Sequence, residues 1–151
     1  MTAHYVLIPI MLIAGGLAAT QSAINSQLSR MIGSPIQASF ISFLVGTLAL
    51  LVILLFVRDG VPSFSRVVHI PPMYLLGGLC GVAFITTVIF LVPLIGVVNV
   101  LFVGLAGQMI MSVLIDHYGW LGIAPHPLNF LRFFGLLLIL AGIGFLQYGK
   151  S

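Results

Sequence analysis

Long apolar runs separated by short polar punctuation make up this chain, and their lengths predict five membrane-sized helices, at about residues 5–31, 35–57, 72–92, 97–116 and 128–148. A run of about 20 apolar residues is enough to cross the ~30 Å hydrocarbon core of a bilayer. The first run departs from the others. At about 100° per residue, Ala14, Gly15, Ala18, Gln21, Ser22, Asn25, Ser26 and Ser29 share one face, while Ile13, Leu17 and Ile24 point elsewhere. In lipid an unpaired amide costs several kcal/mol, so this face needs partners or a cavity. The pattern is read here as one wall of a polar cavity.

The punctuation between runs has its own chemistry. Arg30 suits the negative end of the first helix, Gly33 can adopt a left-handed cap, Ser34 is an N-cap residue and Pro35 fits a first helical turn, which together predict a tight hairpin. Residues 58–71 form the one long charged loop, closed by Pro71 and Pro72. The third run ends near Pro93 to Gly96, and the fourth at Asp116 to Trp120. Small residues repeat at helical spacing in Ser39, Ser42, Gly46 and Ala49, and again in Gly77 and Gly81, a pattern that favours close helix packing. Tyr5, Tyr74, Tyr118, Trp120 and Tyr148 all fall at expected helix ends, where interfacial aromatics belong.

Composition agrees with the pattern. With 61% hydrophobic and 5% charged residues, the chain has too few charges to keep a soluble surface wet. The fold class expected is an all-α membrane protein with a single transmembrane domain over 1–151. The N-terminus lacks a basic segment before its apolar run, so that run is taken as the first membrane helix. A net charge of +3 spread along the chain makes no basic patch, which argues against nucleic-acid binding. Cys80 is the lone cysteine, and no histidine pair has ligand spacing, so no metal, disulfide or cofactor is expected. No serine or cysteine is set beside a plausible base, and no phosphate-binding loop occurs. An enzyme is therefore not expected.

The fourth run places Gly104, Gln108, Ser112 and Asp116 four residues apart on one stripe. Gln21 and Gln108 both fall about 12 to 14 Å from a helix end, close to the bilayer midplane favoured by transporter sites. The solute-binding residues expected are Gln21, Ser22 and Asn25 with Gln108 and Ser112. The competing reading is that these groups only bond one helix to another. Asp116 is expected either to pair with Arg132 at the interface or to act as a protonatable coupling group. Gly135 and Gly142, a heptad apart on the last helix, are expected to form a seam between subunits.

Over nearly its whole length the chain resembles the YdcZ-type family of small bacterial inner-membrane proteins, within the drug/metabolite transporter superfamily. The resemblance is carried by Gln21 and Asn25-Ser26, Gly33-Ser34-Pro35, Phe43 to Gly46, Pro93 and Gly96, Gly107-Gln108, Asp116 to Gly119, and Arg132 to Gly135. It implies five-helix subunits that dimerise into a ten-helix inverted-repeat transporter in the bacterial inner membrane. The chain is more distantly similar to the four-helix small multidrug exporters. Those use a first-helix glutamate, where this chain has Gln21 and Asn25, which argues against proton-coupled export of lipophilic cations.

Five spans would put Arg58, Arg66 and Arg132 on one side and Arg30 and Lys150 on the other, a weak bias for the positive-inside rule. The expected function is a secondary transporter, working as an exporter, that moves a small polar or weakly charged solute by alternating access. The expected assembly is an antiparallel dimer, of this chain with itself or with an oppositely oriented homologue, in contact with membrane lipid. The alternative is a non-transporting accessory subunit that stabilises a partner membrane protein.

Overall fold

The structure is a computed structural model that describes residues 2–57 and 60–148, with side chains for 7–57 and 60–145. Arg58, Asp59 and Lys150, placed by sequence at helix ends, lie outside the described residues. The described chain is helical: α1 (Thr2–Ile32), α2 (Pro35–Phe56), α3 (Phe64–Val68), α4 (Pro72–Ile95), α5 (Val97–Tyr118), a short 3₁₀ turn at Trp120–Gly122, and α6 (Phe130–Tyr148). It forms two compact units, Met1–Leu94 and Ile95–Ser151.

Among the described residues four helices are long and apolar enough to cross a membrane: Leu7–Ile32, Pro35–Phe56, Pro72–Ile95 and Val97–Tyr118. The expected fifth span corresponds to a shorter apolar stretch, Phe130–Phe145. α6 starts two residues later than the sequence suggests because the Asn129 side chain caps it, Oδ1 accepting the Arg132 N–H at 2.8 Å. The charged loop is not wholly irregular, since it contains α3.

In the first unit the α1–α2 hairpin turns on Gly33, at φ 82°, whose N–H bonds the Ser29 carbonyl at 2.8 Å. Ser34 Oγ then accepts the Gln37 N–H at 3.3 Å, and Pro35 opens α2. α4 runs past its expected end at residue 92 and carries Pro93 inside its last turn to reach Ile95. Near a C-terminus the missing proline N–H removes one bond without breaking the helix behind it. The stop comes at Gly96, at φ 86° and ψ 156°, a backbone region open essentially to glycine alone.

The interior of this unit mixes polar side chains with the apolar Ala38, Val88, Ile89 and Val92. Ser22, Asn25, Ser26 and Ser29 of α1 and Ser39 of α2 are buried, while Met11, Leu12, Phe40, Leu55 and Phe56 are exposed. An apolar exterior with hydroxyls and an amide kept between helices is the arrangement a lipid solvent selects.

In the second unit α5 ends on Gly119, at φ 65°, whose N–H bonds the Ile115 carbonyl. The chain then folds back, so that the His126 N–H reaches the Asp116 carbonyl at 2.8 Å. The Leu128 N–H donates to His117 Nδ1 at 3.2 Å. Backbone groups of the connection therefore find partners at the end of α5 before α6 begins.

Candidate functional site

α1 presents its polar residues to two different surroundings. Ser22 is 4% exposed, and its Oγ donates to the Ala18 carbonyl of its own helix at 2.8 Å. Asn25 is 5% exposed and reaches α2, with Nδ2 donating to Ser42 Oγ at 3.0 Å. Asn25 therefore belongs to the contact between α1 and α2, and Ser22 is buried while bonded within its own helix. Gln21, beside them in sequence, is exposed and has no hydrogen-bond partner among the described residues.

Gln21 lines a cleft of about 260 Å³ with Ser42, Phe43, Gly46, Thr47 and Leu50 of α2 and Ile85 of α4. Thr47 has already satisfied its hydroxyl on the Phe43 carbonyl at 2.8 Å. Ser42 accepts from Asn25, and its own proton has no acceptor among the described residues. The groups left to donate to a solute are thus the Gln21 amide and the Ser42 hydroxyl, with the Thr47 oxygen able to accept, against Phe43, Gly46, Leu50 and Ile85. None of the seven lining residues is charged.

A second polar contact ties α4 to α2. Thr86 Oγ1 donates to Ser39 Oγ at 2.9 Å, and Ser39 in turn donates to the Pro35 carbonyl at 2.9 Å. Ser39 is therefore more than the small packing residue that its place in the stripe suggests. The Phe43 ring lies over Gly81, where an added Cβ would stand 3.6 Å from Cζ, an ordinary van der Waals contact, so α4 packs against the cleft's aromatic wall at this point. Thr86 and Thr47 carried no expectation from sequence, and Ser42 was expected only as a small packing residue. One signal was available: Thr86-Thr87 is the sole hydroxyl pair inside an otherwise apolar fourth helix.

In the second unit Gln108 and Ser112 are exposed on α5, and Ser112 Oγ donates to the Met109 carbonyl at 2.9 Å. Arg132 Nη1 lies 3.6 Å from Asp116 Oδ2 and 3.3 Å from the His126 carbonyl. With the two side chains 46% and 37% exposed, the pair fastens the connection to α6 more than it stores energy. Gly135 and Gly142 on α6 face open space, with nothing within 4 Å of an added Cβ at either. No group of three or more potential metal ligands occurs among the described residues.

Lipid-length apolar helices that sequester hydroxyls and amides between them define an all-helical, multi-pass membrane protein. Residues 6–145 match the family described as "Putative inner membrane exporter, YdcZ", and the chain belongs to that family. This membership supports a membrane transporter role, and with the apolar helices it fits a multi-pass protein of the inner membrane. Comparison with curated proteins and with solved structures gave no match.

Proposed function

We propose that this protein is a secondary transporter that exports a small polar or weakly charged solute by alternating access. The observation that carries the reading is Gln21, an exposed amide without a partner among the described residues that borders a cleft lined by α1, α2 and α4. In hydrocarbon such a group is unfavourable by several kcal/mol unless water or a solute meets it. Its position about 14 Å from Arg30 is the depth at which transporters hold their substrates. Gln21 is the first solute-binding group in this proposal, with Ser22 and Asn25 shaping the wall beside it. Gln108 and Ser112 are taken as the exposed hydrogen-bonding groups that α5 contributes.

The proposal includes α6 as a fifth span, since its 19 residues extend about 28 Å at ~1.5 Å each. On this reading all five spans make one transmembrane domain. Two such chains in opposite orientations would then give a ten-helix inverted repeat without gene fusion. Gly135 and Gly142, open to their surroundings, would let a neighbouring subunit approach closely.

Purified protein reconstituted alone in liposomes tests the reading. Saturable solute movement that Gln21→Leu removes is the expected result. Inert liposomes across a broad panel of neutral and weakly charged solutes would favour the accessory-subunit alternative.

A further inference from the structure

Resting on the transporter reading and narrowing its solute to uncharged, partly apolar molecules, we propose that the cleft of the first unit binds a neutral amphiphile: a compact apolar body carrying a single amide, hydroxyl or carbonyl end. Size comes first. A volume of about 260 Å³ has room for roughly nine water-sized groups at ~30 Å³ each, enough for one aromatic ring with a short polar arm.

Polarity is distributed to match. Phe43, Leu50 and Ile85 offer apolar wall, and Gly46 leaves space where another residue would fill it. Thr47 spends its proton on its own helix and can only accept from a ligand, so Gln21 and Ser42 are the groups able to donate to one. Between them they supply an amide that both donates and accepts, and a hydroxyl proton free to donate. An amide, hydroxyl or carbonyl end is the kind of group they satisfy.

Charge completes the argument. No acid or base lines the cleft, so a cation, an anion or a zwitterion entering it would shed water without gaining a counter-charge. A fully polar solute would leave its remaining groups facing Phe43, Leu50 and Ile85. The walls therefore select against both extremes.

Phenylacetamide is a suitable probe, with phenylacetate, phenethylammonium and acetamide as competitors that change its charge or remove its ring. Radiolabelled phenylacetamide should bind the wild-type protein saturably in nanodiscs, and each competitor should need roughly tenfold or more concentration than unlabelled amide to displace it. Gly46→Leu fills the cleft at a position where a Cβ meets nothing within 4 Å, so it should abolish binding in a folded protein. If that variant fails to fold, Ile85→Trp narrows the same cleft from α4. Gln21→Leu should weaken binding about tenfold.

The inference falls if phenylacetamide shows no saturable binding, if a charged analogue or acetamide competes equally, or if both cleft-filling variants bind normally. It also falls if binding seen in detergent vanishes in nanodiscs, because lipid then owns the cleft. Liposome transport separates the two readings. Selective binding without solute movement upholds the ligand class and removes the transporter, whereas transport of other solutes by a protein that never binds the amide does the reverse.

Discussion

Gln21 and Asn25 stand one helical turn apart on α1, and the same substitution should affect them differently. Asn25 is buried and bonded to Ser42, so Asn25→Leu removes an interhelical bond and should lower stability by about 0.6–1.7 kcal/mol. Gln21 has no such bond, and Gln21→Leu should leave thermal unfolding unchanged while removing transport. Parallel unfolding and liposome measurements on the two variants check this. Equal destabilisation by both would return Gln21 to a structural role. Ser39→Ala should have a small effect on stability, about 0.6 kcal/mol, by taking the acceptor from Thr86. At this scale the sequence showed which residues share a face but not what covers it. Periodicity places Gln21, Ser22 and Asn25 on one side of a helix. Only the partner helices decide that Asn25 meets Ser42 while Gln21 borders a cleft.

Elements were legible where the punctuation was chemical. Gly33, Ser34 and Pro35 each have one favoured role at a helix junction, and α1 and α2 meet there within a residue or so of the expected bounds. Pro93 was less informative. A proline forbids the helix interior far more strongly than the last turn, so the stop falls on Gly96 instead. The connection after α5 gives a sharper test of element ends. Gly119, at φ 65°, has the Ile123 carbonyl 3.3 Å and Pro125 Cβ 3.4 Å from an added Cβ, whereas Gly122, at φ 78°, faces open space. Both substitutions to alanine carry left-handed strain of about 1–3 kcal/mol, but only Gly119→Ala adds crowding. Gly119→Ala should therefore destabilise more than Gly122→Ala. Hydrogen exchange at Leu128, whose N–H bonds His117, should report the loosening. Equal exchange in the two variants would mean that strain alone governs the turn.

At the scale of the whole molecule, exposed apolar helices and glycines open to their surroundings ask what lies next to this chain in the membrane. A Cβ added at Gly142 meets nothing packed against its helix within 4 Å, so Gly142→Leu should leave the monomer folding as before. If α6 is the seam, that leucine should stand between the subunits and dissociate the dimer, which crosslinking in bilayers would register. A dimer that survives would move the seam to Gly77 on α4, another glycine with nothing near its Cβ position. Orientation is the last step. Arg30 ends α1 on one side of a five-span map, and Arg66 and Arg132 belong to the other. So small a difference gives the insertion machinery little to discriminate, because orientation follows the lysine and arginine bias of short loops. Reporter fusions at the C-terminus should then register on both sides of the membrane. Adding two lysines beside Ser34 should enlarge the bias at that hairpin and confine the reporter to one side. Transport should fall with the loss of mixed orientation and return when an oppositely biased copy is co-expressed. A wild-type reporter confined to one side would rule out pairing between identical chains and require an oppositely oriented homologue as partner.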